Sequence, residues 1–297
     1  MSRIHVILNP AAGRGAARRI KDRVARALRG HGWSIDVHET ERPGHGVELA
    51  AAAARAGATH VVAVGGDGAA HEVANGLIAA GSSAAIGIVP AGSGNDFAKL
   101  AGVYRHDPER AVARLVTARI RRFDAGRVLG EHFINSLGFG FGPAVVHLRE
   151  SMPGLRGFFS YLVPVLRAFG TFEAPRFDVR AAEWTEDGNL MMLEVCNGTT
   201  AGGSYRFAPG ADPADGRLDV CVIRRIGLLR FLRALPRVMR GTHGAMREVA
   251  LFQTKELTVR TPDRPLMVHL DGELRTPGVD TCTVTIVPAC LNVLVAR

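Results

Sequence analysis

Two hydrophobic periodicities alternate through the first 120 residues, and this alternation limits the possible folds more than any other feature. Continuous apolar runs at 4–8, 60–64 and 84–90 are typical of strands buried on both faces, and the stretches between them repeat at helical spacing. Strands of this kind, each followed by a helix, form a parallel sheet with helices on both sides. The sequence therefore predicts a Rossmann-like α/β domain here.

The rest of the chain has a different pattern. Short strands follow one another, with turn signals such as EDGN at 186–189 between them, and helical segments interrupt them at about 143–169 and 227–241. Consecutive strands are typical of an antiparallel sandwich. Strands are also expected at 280–287 and 291–297, and the last of these can return to the first domain.

These patterns predict a two-domain α/β plus β architecture. An N-terminal Rossmann-like α/β domain would comprise 1–122 together with 290–297, and a C-terminal antiparallel β-sandwich domain would comprise 123–289.

Three strand-to-helix connections in the first domain carry unusual loops. NPAAGRG (9–15), GGDGAAHE (65–72) and PAGSGND (90–96) each follow a predicted strand. Ligands of open α/β sheets bind at the carboxyl ends of the strands. Glycines let the backbone approach a ligand closely, and helix N-termini favour anions. Together the loops predict a phosphate-binding site. They lack the GxxxxGK[ST] pattern of P-loop proteins and the HRD and DFG motifs of protein kinases.

Asp67 stands among amides that favour anions, so it is poorly placed for a phosphate unless a cation lies between them. A Mg²⁺ ion that carries nucleotide phosphates would explain it. The alternative is that Asp67 caps the helix starting near Ala69.

In this order the three loops resemble the diacylglycerol kinase catalytic family, which includes bacterial lipid kinases, sphingosine kinases and ceramide kinases. The likeness continues with NSLGFGF (135–141), NGTTAGGSYRFAPGADPADGRLDV (197–220) and LDGE (270–273), and so covers nearly the whole chain. More distantly, the first domain looks like NAD kinases and phosphofructokinases. The resemblance implies an active site in the cleft between the two domains.

The resemblance also implies that ATP binds along the three loops. Carried over residue by residue, the nucleotide would be contacted by Asn9, Pro10, Ala11, Ala12, Gly13, Thr40, Gly65, Gly66, Asp67, Gly68, Ala69, Ala70, His71, Glu72, Gly92, Ser93 and Asn95. Asn95 and Asp96 would hold the third loop, and Lys99 would either offer a positive charge or be solvated. The family commonly has a threonine and a bulky apolar residue after GGDG. This chain has Ala69 and Ala70 there, so a hydroxyl is missing from that turn.

Family members need a metal in catalysis, and some bacterial ones hold a structural Mg²⁺ in a loop like 212–217. The resemblance implies Asp212, Asp215 and the Arg217 carbonyl as ligands, and oxygen ligands suit this hard cation. The alternative is that DPADG is simply a well-formed turn.

The LDGE motif offers acids for catalysis. The resemblance implies Glu273 as the general base that takes the proton of a lipid hydroxyl, with Asp271 holding metal or water. Asp67 stays open as the base. Asp271-Gly272 also has the ordinary composition of a hairpin turn.

The net charge of +9 suits nucleic acid, an anionic membrane surface or acidic small molecules. Aromatic residues make up 6% and do not alternate with basic ones, so no nucleic-acid partner is expected. A helix over 224–240 could place Ile226, Leu229, Leu232 and Leu235 on one face, bordered by Arg225, Arg230, Arg233 and Arg237. Such a helix suits an anionic membrane surface or simply covers a core.

The sequence has no apolar run long enough to span a membrane and no signal-peptide pattern, so we expect a cytoplasmic protein, peripheral at the inner membrane face. The expected activity is that of an ATP- and Mg²⁺-dependent lipid kinase acting on a hydroxyl of a diacylglycerol-like lipid. Alternatives are a kinase for sphingosine, ceramide or phosphatidylglycerol, an NAD-kinase-like enzyme with a soluble acceptor, and an inactive nucleotide- or lipid-binding regulator. A homodimer is compatible with the sequence.

Overall fold

The chain forms two structural units, one of residues 1–124 with 288–297 and one of residues 125–287. A computed structural model describes residues 3–104, 107–152 and 159–296. None of the described helices is long and apolar enough to cross a bilayer.

A parallel sheet forms the centre of the first unit. Its strands are β1 (Arg3–Leu8), β2 (Ser34–Glu39), β3 (His60–Gly65) and β4 (Ala85–Pro90), in the spatial order β4-β3-β1-β2. The end of the last strand, β15 (Thr281–Val295), joins beside β4, with Asn292 in register with Ala85. The C-terminal segment therefore returns to this sheet. It does so as part of one continuous strand and not as the separate strand that the sequence suggested, with Ala289 in a left-handed conformation at φ 49°.

Helices α1 (Ala12–Gly30), α2 (His45–Arg55) and α3 (Asp67–Ala79) connect these strands, and α4 (Asp96–Leu100) and α5 (Pro108–Val116) follow β4. Apolar side chains of α1 and α5 bury one face of the sheet together with Ile4, Val6 and Leu8. Helices α2 and α3 pack closely at Gly76, where a Cβ would lie 2.4 Å from the carbonyl oxygen of Val47.

Antiparallel strands form the second unit. They are the end of β5 (Arg119–Val128), β6 (Glu131–Phe133), β7 (Ser136–Gly140), β8 (Arg176–Ala181), β9 (Trp184–Cys196), β10 (Leu218–Arg224), β11 (Val249–Thr254), β12 (Glu256–Arg260), β13 (Val268–Leu270), β14 (Glu273–Arg275) and the start of β15. The first half of β9 pairs with β8, and its second half pairs with β7 and β10. This strand thus joins the two layers of a sandwich, and Phe139, Phe177, Leu193 and Val259 are fully buried between them.

Three helices cover the outer face of one layer: α6 (Phe141–Glu150), α7 (Phe159–Thr171) and α8 (Leu228–Arg240). The helical segment expected at 143–169 is therefore two helices, and residues 153–158 lie outside the described ones.

The structure corrects two local expectations. EDGN is not a turn but part of β9, because the chain reverses between the paired residues Ala181 and Trp184. The four apolar residues predicted to share one face of α8 do not do so. Ile226 precedes the helix and is buried, and Leu235 is half-buried, whereas Leu229 and Leu232 are 71% and 43% exposed. Phe231 packs against Phe141 on the inward side of the helix.

Candidate functional site

The first glycine-rich loop is shaped by three consecutive residues in the left-handed region. Gly13, Arg14 and Gly15 have φ of 58°, 58° and 80°, so regular helix begins only after them. The loop starts where the Asn9 side-chain oxygen accepts the N–H of Ala11 at 3.0 Å. A Cβ on Gly13 would lie 1.9 Å from the carbonyl oxygen of Ala91. Only glycine permits this approach, which locks the first loop against the third.

The second and third loops also touch through glycines. A Cβ on Gly92 would lie 2.5 Å from the Cα of Gly66. The third loop is folded around the buried side chain of Asn95, which accepts the N–H of Gly92 at 2.9 Å and donates to its carbonyl oxygen at 2.8 Å. The structure thus brings the three loops together, and it gives Asn95 the loop-holding role that the resemblance implied.

Asp67 links the second loop to the third. Its carboxylate accepts the N–H of Phe97 at 3.0 Å, in the first turn of α4. Asp67 is the first residue of α3, so it does not occupy the N-cap position, which belongs to Gly66. Gly66 has no side chain that could cap the helix. The backbone N–H groups in the first turn of a helix bind anions.

Glu72 holds the beginning of α2. One carboxylate oxygen accepts the N–H of Gly44 and the other accepts that of Gly46, both at 2.8 Å. The preceding segment is tied to the sheet because the N–H of Thr40 donates to the carbonyl of Leu8 at 2.9 Å. Glu72 thus positions the loop after Thr40, and its contact with phosphates stays a prediction.

The remaining predicted nucleotide residues differ in accessibility. Ala11 and Ser93 are exposed, Asn9, Pro10, Ala12, Gly13, Thr40 and Gly68 are half-buried, and Gly65, Ala69, Ala70, His71 and Gly92 are buried. The buried group would act through its backbone or through packing. Lys99 forms an ion pair with Asp96 at 2.9 Å, so it is not merely a solvated lysine.

In the second unit, Asp271 and Gly272 form the two-residue turn of the β13–β14 hairpin, both with positive φ, of 50° and 86°. Asp271 is buried, with 7% of the residue exposed. Its carboxylate accepts the backbone N–H groups of Ile134 at 3.0 Å, Asn135 at 2.8 Å and Ser136 at 3.0 Å. Its carboxylate therefore fixes the start of β7, a use that the sequence did not reveal.

Glu273 lies two residues further on and is more accessible, with 38% of its side chain exposed. Its carboxylate is 3.4 Å from the guanidinium of Arg275, which also pairs with Glu131 at 3.0 Å. The hydrogen bond that Arg275 donates to the Glu131 carboxylate raises the pKa of Arg275 further above its already high value. Glu273 thus stands beside a permanent positive charge.

The carboxylates of the 212–217 loop cap backbone groups of the same loop. Asp212 accepts the N–H of Ala214 at 3.1 Å, and Asp215 accepts that of Arg217 at 2.9 Å. Among the described residues, no third acidic, cysteine or histidine side chain joins these two within 4.8 Å. A cation here would depend on backbone carbonyls and water, and the site stays a prediction.

A buried contact between an acid and a histidine in the second unit was not predicted from the sequence. Glu194 is fully buried in β9, and His269 of β13 lies 3.4 Å from it. A Cβ on Gly138 would overlap both side chains, so glycine makes room for them. The signal was one acid within the apolar run LMMLEVC at 190–196. Burial raises the pKa of the Cys196 and Cys221 thiols, which keeps these cysteines protonated.

Comparisons with known proteins agree with this geometry. Residues 3–128 match the family model of the diacylglycerol kinase catalytic domain, and residues 135–295 match that of the YegS C-terminal NAD kinase beta sandwich-like domain. The diacylglycerol kinase of Bacillus subtilis (strain 168) is 26% identical over 277 residues, which cover 92% of this chain and 90% of that protein. A Pseudomonas syringae pv. tomato protein named "Probable lipid kinase YegS-like" is 34% identical over 218 residues, 72% of this chain and 70% of that protein.

Solved structures share the fold. A crystal structure of a diacylglycerol kinase from Bacillus anthracis str. Sterne has a TM-score of 0.74 at 18% identity and covers 100% of this chain and 97% of that one. Yeast NADH kinase complexed with NADH has a TM-score of 0.51 at 8% identity and covers 100% and 83%. The predicted α/β and β-sandwich domains are confirmed. Because both domain models match and most of the chain aligns with lipid kinases, the chain belongs to the diacylglycerol kinase family of lipid kinases.

Proposed function

We propose that this lipid kinase transfers the γ-phosphate of ATP to a hydroxyl of a diacylglycerol-like lipid. The observation that carries the proposal is the interlocked set of three loops in the first unit. Gly13 packs against Ala91, Gly66 against Gly92, and Asp67 binds the start of α4. Beside them lie the backbone N–H groups in the first turn of α3, whose N-cap residue is Gly66. Closely approaching backbone with such N–H groups supports binding of nucleotide phosphates.

The residues at these loops fit a nucleotide bound with Mg²⁺. Asn9 to Gly13 would lie along the nucleotide, and the exposed hydroxyl of Ser93 would reach its phosphates. Asp67 is half-buried and offers the carboxylate oxygen that this cation prefers, next to amides that hold phosphate. Bound Mg²⁺ supplies neutralisation of the charge that develops on the transferred phosphoryl group.

We assign the general base to Glu273. It must accept the proton of the lipid hydroxyl as that oxygen attacks, and its side chain is accessible enough to meet a substrate. Asp271 has three of its acceptor positions directed at backbone N–H groups. It is therefore better suited to position Ile134–Ser136 than to take a proton, while a metal-holding role for Asp271 and a base role for Asp67 are the alternatives.

A second oxygen site for Mg²⁺ would use Asp212, Asp215 and the carbonyl of Arg217. The support is the exposed turn in which both carboxylates already face backbone groups of the same loop. Its role would be structural, because it would tie down a turn that carries no predicted catalytic residue.

Helix α8 would rest on an anionic membrane surface. Leu228, Leu229 and Leu232 are 51%, 71% and 43% exposed, and Arg233 and Arg237 are exposed beside them. The segment 224–247 contains seven arginines and no acid. Arg230 is not counted with Arg233 and Arg237, because it forms an ion pair with Glu248. Exposed leucines bordered by arginines are the composition of helices that lie in the lipid interface.

The activity is tested by transfer of radiolabelled γ-phosphate from ATP to diacylglycerol, sphingosine, ceramide, phosphatidylglycerol and NAD, each with and without Mg²⁺. Label in diacylglycerol, dependent on Mg²⁺, is the expected result. Label in another lipid alone would change the proposed acceptor but would still support lipid kinase activity. Label only in NADP would overturn the lipid proposal.

The residue roles are tested with single variants in the same assay. Glu273→Gln should lower the rate by about 10²–10⁴-fold, the usual contribution of a general base, and should remove the acid limb of the pH–rate profile. Asp67→Asn should abolish transfer while leaving the melting temperature nearly unchanged, since an amide oxygen can still accept the N–H of Phe97. Asp22→Asn, at an exposed position of α1, is the control. A Glu273→Gln enzyme with a normal rate would move the base to Asp67 or Asp271.

The membrane surface is tested by cosedimentation with vesicles that contain anionic lipid. Replacement of Arg233 and Arg237 by glutamine should weaken binding at low salt, because each arginine near such a surface contributes about 1 kcal/mol. Replacement of Arg26 and Arg29, two exposed arginines of α1, removes the same charge elsewhere and should have a smaller effect. Equal effects of the two pairs would contradict a dedicated surface.

A further inference from the structure

A pair of histidines and an aspartate meet on one face of the sheet in the first unit. His5 is on β1, and Asp36 and His38 are on β2, which lies at the edge of the described sheet. His5 is in register with Asp36, and His38 is two residues further along β2. Alternation along the strands turns all three away from Ile4, Val6 and Leu8, which pack against α1 and α5. The three side chains therefore share the opposite face.

Their polar atoms are within reach of a single ion. One ligand atom from each side chain can be chosen such that all three lie within 4.8 Å of one another. Nδ1 of His5 is 3.4 Å from Nε2 of His38. The ring planes are 9° apart and the centroids 5.6 Å apart, so the two imidazole rings lie nearly parallel. A tetrahedral Zn²⁺ with Zn–N bonds of about 2.0–2.1 Å has ligand nitrogens about 3.3–3.4 Å apart. The observed distance of 3.4 Å between Nδ1 of His5 and Nε2 of His38 agrees with this distance between two zinc ligands.

We propose that His5, Asp36 and His38 bind one divalent transition-metal ion, with Zn²⁺ as the best match. Two imidazole nitrogens and one carboxylate oxygen suit zinc and its neighbours, whereas Mg²⁺ and Ca²⁺ prefer oxygen alone. Three protein ligands leave one position of a tetrahedral site for water. All three side chains are half-buried, so an ion can reach them from solvent.

The ion would clamp the edge strand β2 to β1. This pairing ends at Leu8 and Glu39, just before Asn9 of the first loop and Thr40, whose N–H already donates to Leu8. A metal bridge between His5 and His38 adds a side-chain link to the same pair of strands. The site is distinct from the proposed Mg²⁺ sites in both its residues and its ligand chemistry, so its failure would leave the proposed kinase activity intact.

The test is metal titration of the full chain after treatment with a chelator, with excess Mg²⁺ present to fill oxygen sites. Co²⁺ should bind once per chain with the strong visible absorption of a tetrahedral site, and Zn²⁺ should displace it. His5→Gln and His38→Gln should each weaken Zn²⁺ binding more than about 100-fold, the upper end of the loss seen when only an outer partner of a ligand is removed. Asp36→Asn keeps the size and removes the charge, so a smaller loss is expected.

His31→Gln is the matched control, because His31 is an exposed histidine of the same unit at the end of α1. It should leave binding unchanged. Zinc should also raise the melting temperature of the wild type, increasingly with the concentration of free zinc, but not that of the histidine variants. X-ray absorption of zinc-loaded wild type needs no variant and should count two imidazole ligands. Fewer than two, or unchanged affinity in both His5→Gln and His38→Gln, would overturn the proposal.

Discussion

Removal of the Asp271 carboxylate should destabilise the second unit by several kcal/mol. Three buried backbone N–H groups donate to it over 2.8–3.0 Å. A buried donor that loses its acceptor costs about 1–3 kcal/mol. Asp271→Ala leaves all three N–H groups without their acceptor and places alanine at a positive φ. We expect a loss of about 3–5 kcal/mol, below the simple sum because water can enter the vacated space.

Asp271→Asn keeps the volume of the side chain but replaces one carboxylate oxygen with an NH₂ group. One oxygen remains for Asn135 and Ser136, while the new NH₂ group faces the N–H of Ile134. One hydrogen bond is lost, and asparagine tolerates the left-handed conformation, so the expected cost is about 1–2 kcal/mol. The difference between the two variants therefore measures the bonds that asparagine retains.

Urea unfolding followed by the fluorescence of Trp184 measures these costs. The two tryptophans are Trp33 in the first unit and Trp184 in the second, so a Trp33→Phe background reports the second unit alone. Glu273→Gln is the matched control on the same hairpin and should change stability by less than about 0.5 kcal/mol. Equal losses for the alanine and asparagine variants, or a loss below about 1 kcal/mol for alanine, would refute the reasoning. Recovery of Asp271→Asn activity with added Mg²⁺ would instead support a metal-holding Asp271.

Three further predictions concern packing and protonation. Gly13→Ala should weaken nucleotide binding and lower the melting temperature, because its Cβ would lie 1.9 Å from the carbonyl oxygen of Ala91. Gly30→Ala is the control, since its Cβ would meet nothing within 4 Å. Equal behaviour of the two variants would contradict this prediction. His269→Ala leaves the fully buried Glu194 without its partner and should cost about 3–5 kcal/mol in urea unfolding, and an apolar pair, Glu194→Met with His269→Leu, should recover much of that loss. Burial lowers the pKa of His243, so the unfolded chain binds a proton at this residue below pH of about 6.5 while the folded chain does not, and stability should fall as pH falls from there toward the lowered value. His243→Gln should flatten that slope in unfolding free energies measured between pH 7 and 5, and an unchanged slope would argue against it.

Sequence patterns predicted the architecture well where the signal is local. Continuous apolar strands, helical spacing and glycine at strand ends are properties of neighbouring residues, and they identified the α/β domain and its three loops. The same local logic failed at EDGN, where turn-forming residues lie in β9 because the chain has already reversed between Ala181 and Trp184 and this stretch pairs with β8. A residue's partner across a sheet is not encoded in its immediate neighbours.

Only the tertiary structure decided how the chemically important side chains are used. Asp67 caps α4, thirty residues away, and Asp271 holds amides more than a hundred residues earlier in the chain. Glu194 and His269, and His5 and His38, meet only because their strands pair or share a layer. The sequence by itself determined which residue types stand at the strand ends, because local propensity and periodicity specify strands, helices and turns. Their partners were decided by strand register and loop packing, which depend on contacts between distant segments and on the burial that satisfies each polar group.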